Sequence, residues 1–536
     1  MAAEVQTGAS SRRSFLEQIG KTAGVAAMYD AMIAMGLLHT PAAFAQQDLD
    51  VLPAGAGKSV TILGAGMSGL MVAYELQKRG YRCVILELLD RPGGRNFTAR
   101  RGSKVVEDTG PQGRTEQVCD FDAGLYMNMG PARLLFHHKR AMHYCRELAV
   151  PLEIYVMSNM ANLYQSPRSF GGQAMPRFRL ANDVNYHVAD LLSKAIDQGA
   201  LRRELPSGEM RAALQKMLVQ FGGTGQSATV GADTPRTLCA DPMTVQAMCK
   251  ANPTLALQDI LKSDLWNNRF FQPFEGDWEP SLFQPVGGMD KFVDGFTKHV
   301  GHLIRYGAKV QSIENTAAGA RVSYLDLYTR QNIVIDTDYV FSAIPLGKLT
   351  SLRHNFSAEY ANAIAKAKPG PLYKLAWQAN ERFWESEKYN IFGGISYIEA
   401  PLTQMWYPSN DYYSQKGVLP GVYCYDDQAV AYGRMTLADR IRAARSDSIK
   451  LHPEMASEAL LPSNKAVSIA WHQAEGQTGG YTAWDHSDRI TEAAYQRLLK
   501  PEGRFFAIGD QLSFLPGWQE GAFMSAENAM RLALVH

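Results

Sequence analysis

The sequence predicts an α/β protein built on a Rossmann-like dinucleotide-binding unit, and three observations point there. Near residue 60 a short β-branched strand runs into a glycine-rich turn and a helix with an apolar face. A second strand follows and ends on a carboxylate. At 536 residues and 46% hydrophobic side chains, the chain is too long for one core and apolar enough for two or three.

Charge excludes one class of function. The 54 Lys+Arg are matched by 53 Asp+Glu, and no basic tract exists to displace the counterions of a nucleic acid, so none is expected as a partner. A small-molecule enzyme fits better. The six cysteines, Cys83, Cys119, Cys145, Cys239, Cys249 and Cys424, include no CxxC pair, so neither a zinc site nor a disulfide framework is implied.

At the N-terminus, Ser11-Arg12-Arg13-Ser14-Phe15-Leu16 precedes a weakly apolar stretch from Thr22 to Leu38, and Ala43-Phe44-Ala45 offers a small-x-small cleavage pattern. This order reads as a Tat export signal over residues 1–45 and a periplasmic or secreted protein. Glu17 and Asp30 keep the alternative open, an amphipathic helix retained in a cytoplasmic protein. Asp30 breaks the stretch short of the roughly 20 residues a membrane span needs, and no later stretch reaches that length without charge, so no integral membrane segment is expected.

Ser59 to Leu63 is the first strand, Gly64-Ala65-Gly66-Met67-Ser68-Gly69 the turn and helix start, and Leu70 to Lys78 the helix body. Gly64 permits the tight turn, and Gly66 removes a side chain that would block a diphosphate. Gly69 lets the helix pack close to the strand, while the helix N-terminus at Met67 and Ser68 faces the phosphates. The second strand, Arg82 to Leu86, ends at Glu87, eighteen residues beyond Gly69, where a carboxylate can accept both hydroxyls of an adenosine ribose.

Asp90-Arg91-Pro92-Gly93-Gly94-Arg95 then adds a second glycine pair flanked by cations. Here the chain resembles the flavin-containing amine oxidase family, whose ExxxRxGGR segment reads Glu87 through Arg95. Pro285 to Asp290 is similar to that family's PxGGM turn, and Arg382-Phe383-Trp384 to its middle-domain strand end. Gly503 to Asp510, with Gly517-Trp518 and Glu520-Gly521-Ala522, resembles its C-terminal cofactor segment. The resemblance implies FAD and a discontinuous FAD-binding domain (55–101, 281–370 and 465–536). A mixed-sheet substrate domain (102–133 and 371–464) and a helical insertion (134–280) interrupt it. It also implies that Asp510, beside Gly509, bonds the ribitol and that Gly517, Trp518 and Ala522 approach the flavin ring. Val310 would meet the adenine, or is simply a core valine. Gly479-Gly480-Tyr481-Thr482 lacks the cysteine that attaches flavin in some members, so noncovalent FAD is expected.

Asn128-Met129-Gly130-Pro131-Ala132-Arg133 resembles the GPMR segment of L-amino-acid oxidases. That likeness sets Gly130, Pro131 and Ala132 against the cofactor and gives Arg133 the substrate carboxylate, a role suited to a planar guanidinium fork. A structural ion pair or an FAD phosphate contact is the other reading of Arg133. Trp406-Tyr407-Pro408 resembles a segment whose tyrosine adds a second bond to that carboxylate, which makes Tyr407 the partner or else a core tyrosine. Lys374, nine residues before Phe383 in an apolar strand, matches the lysine that holds a water at flavin N5 and assists reoxidation by oxygen. Gly480 and Trp484 would wall the ring where the amine approaches. Helical spacing runs over Lys139 to Leu148, Val184 to Gln198, Gly208 to Gln220, Pro242 to Lys250 and Leu255 to Leu265. From this insertion Asp233 and Cys249 are candidates for the substrate side chain, although Asp233 also reads as a turn cap.

The implied reaction oxidises an L-amino acid to the imino acid, which hydrolyses to a 2-oxo acid and ammonia, while oxygen becomes hydrogen peroxide and no metal is used. An amino-acid 2-monooxygenase shares every motif quoted. An amine or polyamine oxidase and a non-catalytic flavin-binding protein are the further alternatives. A homodimer or higher homo-oligomer is expected.

Overall fold

The computed structural model describes residues 52–110, 113–223, 229–230, 234–235, 244–246, 252–263, 270–271 and 281–534. The segment read as an export signal, Asp233 and Cys249 lie outside them.

Strand β1 (Ser59–Leu63), helix α1 (Met67–Lys78) and strand β2 (Arg82–Leu86) form the expected unit. Val60 and Ile62 enter one core cluster and Leu63 another, so both faces of β1 are covered, as a parallel strand requires. Five parallel strands make the sheet, in the order Ile304–Arg305, β2, β1, Tyr339–Ser342, Phe505–Ala507. Its strands thus come from three distant parts of the chain. A Cβ on Gly69 would lie 2.2 Å from the Gly64 carbonyl oxygen, so only glycine lets α1 begin this close to the strand. Beside this layer a four-stranded sheet includes Ala308–Asn315, the strand that carries Val310.

A second core lies around strand β3 (Leu372–Ala379), which is buried at all eight positions. It runs antiparallel between β4 (Gly417–Tyr425) and β5 (Ala466–Ala470), and the register sets Lys374 opposite Tyr423 on one side and Ile469 on the other. Against this core stands a hairpin of Lys104–Gly110 and Gly113–Val118. The hairpin is pinned by Glu107, whose two oxygens accept from Arg440 at 3.0 and 2.7 Å and whose Oε1 also accepts the Ala470 N–H at 2.8 Å. A mixed four-stranded sheet contains Ile395–Ile398 and Gln404–Trp406.

The helical region has α2 (Lys139–Glu147), α3 (Arg177–Asp197) and α4 (Gly208–Gly222). Helix α3 starts seven residues before the expected Val184, because Pro176 in an extended conformation caps it and fixes the start. Of the helix expected over 242–250, only 244–246 are described, and they are not helical. The last expected helix shortens to Leu257–Lys262. Among the described residues no helix is long and apolar enough to cross a membrane.

Candidate active site

A cavity of about 870 Å³ runs from the C-terminal ends of β1 and β2 to the sheet of β3 and β4. That is toward the large end of the roughly 300–1,000 Å³ of ligand and cofactor sites. Gly64, Gly66, Met67 and Ser68 line one end. Gly64 holds φ at +94° to make the turn, and a Cβ on Gly66 would meet nothing within 4 Å, because the space in front of it is the cavity itself. No side chain caps α1, so its first N–H groups are left for an anion. Gly69 is not in the wall and serves by packing alone.

Glu87 is buried at the cavity edge beside Ala308 and Val310. Its Oε2 accepts the Ala65 N–H at 2.7 Å and its Oε1 the Leu89 N–H at 2.9 Å. Burial pushes its carboxyl up and the two backbone donors oppose that, so the group is fixed in place with acceptor capacity to spare. Further along, Arg95 donates to the Gly480 carbonyl at 2.7 Å and pairs with Asp510, whose Oδ2 accepts the Gly517 N–H at 2.7 Å. These bonds join three separated segments into one wall, which Gly130, Pro131, Ala132, Gly509 and Ala522 complete. A Cβ on Gly130 would fall 1.8 Å from the Arg95 carbonyl oxygen, so the two segments meet backbone to backbone. An open helix terminus, an anchored carboxylate and the cradle before Gly66 suit a dinucleotide whose diphosphate lies at α1 and whose ribose reaches Glu87.

The far end of the cavity is aromatic and cationic. The Arg133 guanidinium carbon lies 4.8 Å from the Trp518 ring centroid and 5.7 Å from that of Trp406. Lys374 is 4% exposed and donates to the carbonyls of Gly130 and, at 3.3 Å, Asn128. Burial, assisted by the charge of Arg133, pulls its amine down to about 7. Leu372, Tyr423 and Tyr425 close this end. A smaller cavity of about 70 Å³ meets the first at Ala132, Lys374, Trp406 and Tyr423 and extends to Asn410 and Asp411.

Two expected site residues are placed elsewhere. Tyr407 lines the smaller cavity and not the main one, and its hydroxyl shares bonds with Ser396 Oγ at 2.8 Å and His452 Nε2 at 2.6 Å in the core behind β3. Successive residues of an extended chain face opposite ways, so Trp406 reaches the main cavity while the Tyr407 hydroxyl points into the core. Trp484 is carried past the wall by the Tyr481–Ala483 strand, donates Nε1 to the Gln511 carbonyl at 2.7 Å and packs 5.5 Å from Tyr495. The sequence reading missed Tyr423 and Tyr425. The alternation Val422-Tyr423-Cys424-Tyr425 signals them, apolar residues turning to the core and phenols to the cavity. It also missed Arg114 and Glu475, an ion pair in the cavity wall that nothing local in the sequence announces.

Known proteins share this architecture. The chain is 27% identical over 497 residues to the flavin-dependent L-tryptophan oxidase RebO of Lentzea aerocolonigenes, covering 88% of this chain and 97% of that one. It is 22% identical to the L-amino-acid oxidase of Pseudechis australis, over 88% of this chain and 86% of the other. A triple mutant of putrescine oxidase has the same fold at a TM-score of 0.57 and 16% identity, covering 88% of this chain and 98% of that structure. The family model described as flavin containing amine oxidoreductase matches residues 67–534. With nearly the whole described fold inside that match, the chain belongs to the flavin-containing amine oxidoreductases, enzymes that work through a bound flavin.

Proposed function

We propose that the protein is an FAD-dependent L-amino-acid oxidase, with FAD held noncovalently. The observation that carries this reading is Arg133, buried between two indoles where the cofactor cavity ends, within electrostatic reach of Lys374. A guanidinium so placed matches a carboxylate bidentately, and a plain amine brings no carboxylate. The relatives named for L-tryptophan and L-amino-acid oxidation support the same choice.

Glu87, the α1 N-terminus, Arg95 and Asp510 would hold the dinucleotide. Bound there, FAD supplies a two-electron acceptor that hands those electrons on to oxygen. Arg133 fixes the substrate carboxylate and so orients the Cα–H bond, an entropic advantage worth several kcal/mol. Trp406, Trp518, Tyr423 and Tyr425 exclude water around the side chain. Lys374, poised near neutrality, holds a water or a proton during the oxygen step. In sum, the amino acid, oxygen and water become a 2-oxo acid, ammonium and hydrogen peroxide.

The test is a panel of L-amino acids beside their decarboxylated amines, scored for peroxide, 2-oxo acid and amide. Peroxide with 2-oxo acid from amino acids alone is expected. Faster turnover of the amines would overturn the reading, and an amide product would turn it into a monooxygenase.

A further inference from the structure

Lys374 is held on several sides. Its Nζ donates to the carbonyls of Gly130 and Asn128 and lies 4.7 Å from the centroid of the Tyr423 ring. That ring is itself locked in place. Tyr423 is the direct cross-strand partner of Lys374, Trp406 stands edge-on to it at 5.0 Å and 73°, and Thr403 Oγ1 donates to its carbonyl at 2.6 Å. The Tyr425 ring packs against that of Tyr423 with centroids 4.8 Å apart. Two carbonyls and a ring face thus hold the amine where it borders the large cavity and the smaller one that adjoins it.

The groups that face this amine divide cleanly. Burial and the charge of Arg133 oppose its ammonium form. From β4 come Tyr423 and Tyr425, Tyr155 stands beside Arg133, and Ile469 of β5 is apolar. All three tyrosines are neutral at ordinary pH, because burial pushes their hydroxyls up. Among the described residues, the two carbonyls and the electron-rich faces of Tyr423 and, at 5.9 Å, Trp406 favour the cation.

We propose that Tyr423 is a positioning residue whose ring face holds the Lys374 amino group against the Gly130 and Asn128 carbonyls, turned to the flavin cavity, and favours the ammonium there. This rests on the proposed function only in that Lys374 serves the flavin.

The test uses holoenzyme carrying ¹³C at the lysine Cε, in which the Lys374 resonance is the one lost in Lys374→Met. Its titration midpoint is followed by NMR, and the oxygen reaction of dithionite-reduced enzyme is followed across the same pH range without any amino acid. Tyr423→Leu is expected to lower the midpoint by about one pH unit and to move the reoxidation profile the same way. Tyr423→Phe, which keeps the ring face, restores the original midpoint. Pentafluorophenylalanine at position 423 keeps the shape and reverses the charge of the face. It should lower the midpoint like leucine, which covers the case in which Tyr423→Leu fails to fold. A midpoint unchanged or raised in the leucine or fluorinated protein overturns the proposal, as does a phenylalanine protein that falls as far as leucine. If Lys374→Met reoxidises at the normal rate, the oxygen role given to Lys374 fails, and the resonance still decides the case of Tyr423.

Discussion

Between the faces of Trp406 and Trp518, the Arg133 guanidinium is desolvated, and any carboxylate it binds is desolvated with it. Arg133→Ala should therefore lower kcat/KM on the preferred amino acid by about 2–5 kcal/mol, roughly thirty- to several-thousand-fold, with FAD content unchanged. Arg133→Lys should recover little, since an ammonium lacks the fork. If FAD content falls and holoenzyme turnover stays normal, Arg133 serves the cofactor. Tyr407→Phe should leave kcat/KM within about threefold and lower stability by about 1–3 kcal/mol, because Ser396 and His452 lose a buried partner. A large loss of kcat/KM at normal stability would return Tyr407 to the substrate. For Lys374 the sign is set by its lowered amine: the unfolded chain keeps the proton up to about 10.5, the folded one only to about 7. Its contribution to stability therefore rises with pH across that window, by about 1.4 kcal/mol per unit at most. Urea midpoints at pH 7.5 and 9 should show a steeper rise in the wild type than in Lys374→Met.

Among the elements, the hairpin Lys104–Gly110/Gly113–Val118 depends on one carboxylate. Glu107→Ala strands a buried Arg440, at an expected cost of about 3–5 kcal/mol in urea unfolding, and the double replacement Glu107→Leu with Arg440→Met should recover most of it. Equal losses in single and double variants would contradict this account. The strand–turn–helix at Ser59–Lys78 was legible in sequence because its demands are local: Gly64 makes the turn, Gly66 opens the cradle and Gly69 sets the packing distance. Lys374 was legible for a similar reason, as one cation in an apolar strand. Tyr407 and Trp484 were not. Which of two adjacent residues faces a cavity depends on strand parity fixed by neighbours far away in sequence, here Ile395–Ile398 against Gln404–Trp406 and Lys368–Gly370 against Tyr481–Ala483. The start of α3 at Pro176 could have been read from the proline, but the apolar spacing that marks the helix only becomes regular further on.

For the molecule as a whole, the cofactor cavity is lined by residues from Gly64 to Ala522, so a dinucleotide bound there would add contacts between segments far apart in sequence. FAD should be released by acid or heat into the supernatant, since Gly480 offers no thiol, and flavin retained on the denatured chain would contradict noncovalent binding. The apoprotein should melt several degrees lower than the holoenzyme, because a ligand at about a hundred times its Kd contributes about 2.7 kcal/mol. The parallel sheet has one more consequence. Tyr339–Ser342 finds its outer neighbour only in Phe505–Ala507, and α1 gains the cover of the helix Gln519–Leu534 later still. At about 5–20 residues per second, a ribosome needs on the order of ten to thirty seconds to travel from the first of these strands to the second. Throughout that interval the growing chain carries an unpaired strand edge and an apolar helix face, so it is open to aggregation until residues 505–534 emerge. Shortening the protein before Phe505 should therefore yield aggregate, while the same chain finished and refolded with FAD stays in solution.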